Sequence, residues 1–172
     1  FITSLILGLS TLIAPSQKQS VNDRILKIVD SEIEQFFAIY KDLHQNPELS
    51  DLELKTSGKM AENLKAMGFE VTTGIGGYGV VGVFRNGKGK TVMLRTDMDA
   101  LPVKESTGLP YASNVVMKDA SGNEVPVMHA CGHDMHMTMW LGILKTLVAL
   151  KENWKGTILA VAQPAEEGSG GA

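Results

Sequence analysis

The chain has 172 residues, 44% of them apolar, and a net charge of −3. That length fits one ordinary domain, and the apolar share can fill a core. So weak a charge gives no footing for a nucleic-acid or membrane-surface partner, and the single cysteine excludes an intramolecular disulfide framework.

Phe1 to Ala14 is almost wholly apolar or small. It is too short for a membrane span of roughly 20 residues and fits the apolar core of a secretory signal. Residues 1–20 are therefore expected to be a signal peptide with a truncated start, cut near Ala14 to Ser20, and the protein to be exported. The alternative is a buried helix or a single anchor, with a cytoplasmic protein. The start on Phe1, and the end on Gly168 to Ala172 directly after paired glutamates, predict a piece of a longer chain.

Asn22 to Gln45 predicts an amphipathic helix, with Ile25, Ile28, Val29, Ile33, Phe36, Phe37, Tyr40 and Leu43 near a 3.6-residue period. Asn46-Pro47 ends it. A second helix is expected from about Leu52 to Met67, stopped by Gly68, then a strand over Phe69 to Thr73. Gly74, Gly76, Gly77 and Gly79 read as a turn, because no P-loop lysine follows. Val80 to Arg85 and Thr91 to Thr96 read as strands, and Asn86-Gly87-Lys88-Gly89 between them predicts a hairpin. Thr107 to Pro126 reads as loop and short strand. Asp134 to Lys151 predicts a helix, with Met135, Met137 and Met139 assigned to packing, and Gly156 to Ala162 a further strand.

Helices thus alternate with strands, and polar clusters follow strand ends. Asp97 and Asp99 follow one strand, Glu166 and Glu167 follow another, and Cys131 and His133 precede a helix. In open α/β sheets sites lie beyond the carboxyl ends of strands, where these groups can converge. Cys131 and His133 flank a glycine, so thiolate and imidazole can meet on one cation; with a carboxylate they make a first shell for zinc or a similar divalent metal. Glu166-Glu167 suggests divided labour, one carboxylate on metal and the other moving a proton. His136 is either a ligand or structural, His129 is a candidate orienter of a ligand, and His44 caps or packs. Three rival readings stand beside this one. Asp97-Met98-Asp99 resembles a haloacid-dehalogenase-type phosphatase motif with Asp97 as nucleophile, Cys131 could be the nucleophile of a thiol hydrolase, and the chain could be a non-catalytic metal-binding module.

Four blocks in order resemble the metal-dependent N-acyl-amino-acid amidohydrolases, the group of hippurate hydrolase and the auxin-conjugate hydrolases. They are Leu43 to Ser50, Leu94 to Pro102, Met128 to Asp134 and Gln163 to Glu167. The resemblance covers about Val21 to Ala172, so residues 21–172 are expected to be the N-terminal part of a catalytic domain. It implies an α/β fold, a mixed central sheet flanked by helices, and two divalent metal ions. A Cys ligand leans to zinc and carboxylates admit manganese, with cobalt a third choice. It further implies that Cys131, His133 and Glu167 ligate metal, that Glu166 is the general base and acid, and that Asp99 orients. The substrate would be an N-acyl amino acid or related conjugate, with a metal-dependent exopeptidase or dipeptidase as the alternative. Relatives add two further histidine ligands and an inserted α+β domain, a lid or homodimer interface, downstream of the residues present here.

Overall fold

The computed structural model describes residues 20–168. The apolar run of residues 1–14 and its expected processing site before Ser20 lie outside them. Helix α1 (Val21–Gln45) starts at a reciprocal cap, where the Asp23 N–H donates to Ser20 Oγ (3.1 Å) and the Ser20 N–H to Asp23 Oδ2 (3.3 Å). Helix α2 (Leu54–Ala66) follows the Pro47 turn. Its N-cap residue, Glu53, makes no side-chain bond to the helix end. Glu48 caps it from outside, accepting the N–H groups of Lys55 (3.1 Å) and Thr56 (2.8 Å).

Strands β1 (Glu70–Ile75), β2 (Gly79–Asn86) and β3 (Thr91–Asp97) come next, then a two-stranded hairpin of β4 (Val116–Lys118) and β5 (Glu124–Pro126). Helix α3 (His133–Ala149) leads through a 3-10 turn at Lys151–Asn153 to β6 (Gly156–Gln163). The main sheet runs β1-β2-β6-β3, with β6 antiparallel to β2 and parallel to β3. The expected mixed α/β fold is what forms.

The expected hairpin between β2 and β3 does not form, because β6 inserts between them. The Asn86-to-Lys90 link must therefore cross two strand spacings, about 10 Å. Its glycines serve that crossing. A Cβ on Gly89 would stand 2.6 Å from the Lys155 carbonyl oxygen, and one on Gly156 2.3 Å from that of Lys90. The local signal marks a true turn, and the partner strand comes from far downstream, with Asn86 paired to Gly156.

Along β6, Gly156, Ile158, Ala160 and Ala162 are buried and alternate with half-buried neighbours. They face one core with Met60 and Leu64 of α2 and Met137, Trp140, Leu141 and Leu144 of α3. Leu144 is fully enclosed, so Leu144→Ala would cost about 2–5 kcal/mol. The methionines expected to pack divide: Met137 is in the core, while Met135 and Met139 are exposed along an apolar groove of about 480 Å³ between α1 and α3. That groove offers hydrocarbon and no carboxylate, imidazole or thiol. Among the described residues no helix is long and apolar enough to cross a membrane.

Because β3 and β6 are parallel and in register, Asp97 lies opposite Gln163 at their carboxyl ends. The segments that follow both strands leave the sheet at one edge, where α3 begins.

Candidate metal centre

Met98 is fully buried in the core, so strand alternation turns Asp97 and Asp99 to the other side together. Asp99 is the hub. Its Oδ2 accepts from Ser50 Oγ (2.6 Å) and from the Glu167 N–H (2.8 Å). Its backbone oxygen accepts from His133 Nδ1 at 2.8 Å. Burial alone would raise the Asp99 pKa, but the hydrogen bonds from His133, Ser50 and Glu167 hold it well below the usual carboxylate range. The Leu43–Ser50 block acquires a purpose here. Ser50 orders Asp99, Leu49 bridges to Ala100, and the Glu48 carbonyl accepts the Ala100 N–H at 2.8 Å.

His133 opens α3 behind Gly132, whose φ of 80° lies in the left-handed region that glycine adopts without strain. With Nδ1 bound to Asp99, only Nε2 is free. It lies 3.8 Å from Asp97 Oδ1, 3.8 Å from Glu166 Oε2 and 3.7 Å from Glu167 Oε1. These gaps are too wide for hydrogen bonds and suit donors gathered around a shared cation. Burial disfavours the imidazolium, yet the Asp99 bond and the charge of Asp97 outweigh it and lift His133 to about 9. The site therefore calls for a positive charge, supplied by a proton or by a metal that replaces it. The carbonyl bond on the far nitrogen fixes the tautomer a ligand needs. By this test the residues fit a divalent metal.

Two donor sets meet here: His133 with Glu166 and Glu167, and His133 with Asp97 and His136. Both draw on the same Nε2, so they do not make two complete centres. His136 Nδ1 lies 2.9 Å from Asp97 Oδ1, and its ring is otherwise exposed. Cys131 is exposed beside Glu167, outside both tight sets. Its hydrogen bond to Glu167, with burial and the nearby carboxylates, pushes the thiol pKa up. Nucleophilic thiols need the reverse shift, which argues against a thiol hydrolase. Asp97, proposed nucleophile of the phosphatase reading, is tied to His136, with Arg95 3.8 Å away.

Two histidines depart from expectation. His129 is buried, and neither ring nitrogen has a hydrogen-bond partner among the described residues. Burial lowers it to about 4, so the ring is neutral. His44 is no helix cap: it bridges Asp134 (2.6 Å) and Glu105 (3.1 Å) between α1 and the start of α3. Burial opposes its charge, but the two carboxylates prevail and raise it. Glu53, which lies in none of the motifs, accepts the Ala165 N–H at 2.7 Å. Its only signal is proximity to the Pro47–Ser50 block.

An α/β sheet with carboxylates and an imidazole gathered beyond parallel strand ends is an arrangement that suits a metal-dependent hydrolase. Residues 93–172 match the model of peptidase family M20/M25/M40. The chain is 45% identical over 149 residues to the hippurate hydrolase of Campylobacter jejuni, a match covering 86% of this chain and 36% of that protein. It is 47% identical over 134 residues to thermostable carboxypeptidase 2 of Saccharolobus solfataricus, covering 77% and 32%. Among solved structures it matches the Bacillus subtilis YXEP protein, a dinuclear metal-binding peptidase of the M20 family, with 33% identity and a TM-score of 0.70 over 80% of this chain and 36% of that one. The chain thus spans about a third of the length of these relatives.

Proposed function

We propose that the whole protein is a metal-dependent amidohydrolase that cleaves the amide of an N-acyl amino acid or related conjugate. The observation that carries this reading is the His133 imidazole, tied at Nδ1 and presenting Nε2 to Asp97, Glu166 and Glu167 at 3.7–3.8 Å. Cys131, His133 and Glu167 would hold metal, with zinc, manganese and cobalt as candidates and two ions as the expected complement. Divalent ions so bound supply Lewis acidity and make water acidic enough to deprotonate near neutral pH. Glu166 is the more exposed of the paired carboxylates, and among the described residues no hydrogen bond fixes its oxygens. It would take the proton from the attacking water and return it to the leaving amine. Asp99 would hold the His133 ring and the Glu167 backbone, keeping both ligands in place.

A second reading, a metal-dependent exopeptidase or dipeptidase, is favoured by the carboxypeptidase relative. Both need the same bond-breaking apparatus and differ in what lies on either side of the amide. The test is hydrolysis of N-benzoyl and N-acetyl amino acids against dipeptides by the full-length protein, before and after chelation. Faster, chelator-sensitive cleavage of the N-acyl amino acids supports the first reading, and dipeptide preference the second. Cleavage that survives complete metal removal would end both. Export of the protein is proposed on the composition of residues 1–20 alone, and N-terminal sequencing of the mature chain tests it.

A further inference from the structure

The turn that carries both glutamates is held from two sides, and one holding group belongs to none of the motifs. The Gly168 N–H donates to the Ala165 carbonyl at 3.3 Å, so Glu166 and Glu167 are the two central residues of a tight turn. Ala165 stands at φ 49°, in the left-handed region that a residue with a Cβ adopts only when its surroundings impose it. Ala165 is buried, so the surroundings that impose it are protein.

Glu53 is that surrounding. Its side chain is fully buried, and among the described residues no lysine, arginine or histidine pairs with it. Burying a carboxylate without a cation is costly, so the fold must gain something by it. Helix α2 does not: Glu53 gives it no side-chain cap, and Glu48 does that work. What Glu53 does is accept the Ala165 N–H at 2.7 Å, one residue before Glu166, just as Asp99 accepts the Glu167 N–H at 2.8 Å, one residue after the Glu166 backbone N. The two bonds straddle the Glu166 peptide. Among the described residues the other Glu53 oxygen has no partner, so the bond to Ala165 is there its one polar contact outside its own segment.

We infer that Glu53 is a positioning residue, whose buried oxygen holds Ala165 in its left-handed conformation and thereby sets the directions of Glu166 and Glu167. The inference rests on the roles given to those two residues above. A base misplaced by about 1 Å loses on the order of 100-fold in rate, and loss of a group that orients a ligand weakens metal binding roughly 10–100-fold.

The experiment uses the full-length protein with three substitutions. Glu53→Gln keeps an acceptor oxygen at the same reach. Glu53→Asp keeps the charge but withdraws the oxygen by about one C–C bond, roughly 1.5 Å. Glu53→Ala removes both. For each, kcat and KM on an N-acyl amino acid and zinc affinity by calorimetric titration are expressed per folded molecule, with the folded fraction taken from thermal unfolding. Glu53→Gln is expected within a few-fold of wild type. Glu53→Asp and Glu53→Ala are expected to lose roughly 10–100-fold in kcat, with KM moving far less, and roughly 10–100-fold in zinc affinity. If Glu53→Ala fails to fold, the Gln and Asp variants decide. Wild-type kcat and zinc affinity in Glu53→Asp, with only a lower Tm, would overturn the inference by making the residue merely structural. So would a Glu53→Gln variant as impaired as Glu53→Asp, since an acceptor oxygen at the same reach would then not suffice. A wild-type protein that binds zinc but hydrolyses no N-acyl amino acid would sink the proposed function instead, and zinc affinity would still judge Glu53.

Discussion

The turn from Ala165 to Gly168 and the segment from Met128 to Gly132 meet at one site and are held very differently. In the turn, the Ala165 and Glu167 N–H groups each reach a buried carboxylate. In the other segment, the Met128 N–H and carbonyl both bond to Leu101, but beyond it His129 has no partner among the described residues and Cys131 lies exposed. The protein itself thus sets the turn that carries the carboxylates, while under the proposed function the thiol would gain a partner from a cation. A metal centre built on the proposed ligands would have a rigid half and a half completed by the metal.

The largest effect that would sharpen this contrast is on the rigid half. In the full-length protein, Glu166→Gln should keep its metal and its substrate binding while turnover falls roughly 10²–10⁴-fold, the range for loss of a general acid–base. Elemental analysis and steady-state rates check it. Glu167→Gln should instead lose metal and recover part of its rate when metal is added in excess. Metal loss in Glu166→Gln with retention in Glu167→Gln would swap the two roles.

A smaller effect follows from pH. Metal-free His133 is raised to about 9 from 6.5, so its proton must leave before Nε2 can ligate. Zinc affinity should therefore rise with pH, about tenfold per unit for that one proton and more steeply where the Cys131 thiol, also pushed up, must lose its proton; calorimetry across pH 6 to 10 measures it. The same shift makes His133 stabilise the metal-free fold fully below about 6.5 and lose that contribution as pH rises through about 9. Zinc-loaded protein should not show that loss, and thermal unfolding with and without zinc checks it.

The smallest effect falls on Cys131. Its alkylation should be slow in the metal-loaded protein and faster after chelation, because a bound thiolate is masked. Equal rates would show that the thiol stands apart from the metal, and would remove the contrast between the two halves.

How much of this was legible in the sequence follows from the range of each interaction. The helices and strands were readable because periodicity is local, as in the α1 pattern from Ile25 to Leu43. Convergence of Asp99, His133 and Glu167 was readable because all three follow strand ends or precede a helix. The place of β6 was not, since Asn86-Gly87 reports a chain reversal and says nothing of which strand fills the gap. His44 looked like a helix end and proved to join α1 to Asp134 and Glu105. Glu53 sits in Asp51-Leu52-Glu53-Leu54-Lys55, which reads as a solvated helix start, and its burial depends on Ala165, 112 residues away.

The central claim is that His133, Glu167 and Cys131 share one metal while Glu166 stays free as the base. Anomalous diffraction from crystals of the zinc-loaded full-length protein tests it most directly. The account predicts zinc bonded to His133 Nε2, a Glu167 carboxylate oxygen and Cys131 Sγ, at roughly 2.0–2.3 Å, with the Glu166 carboxylate off the metal. Zinc bound without His133, or bound through Glu166 with Glu167 left free, would contradict it.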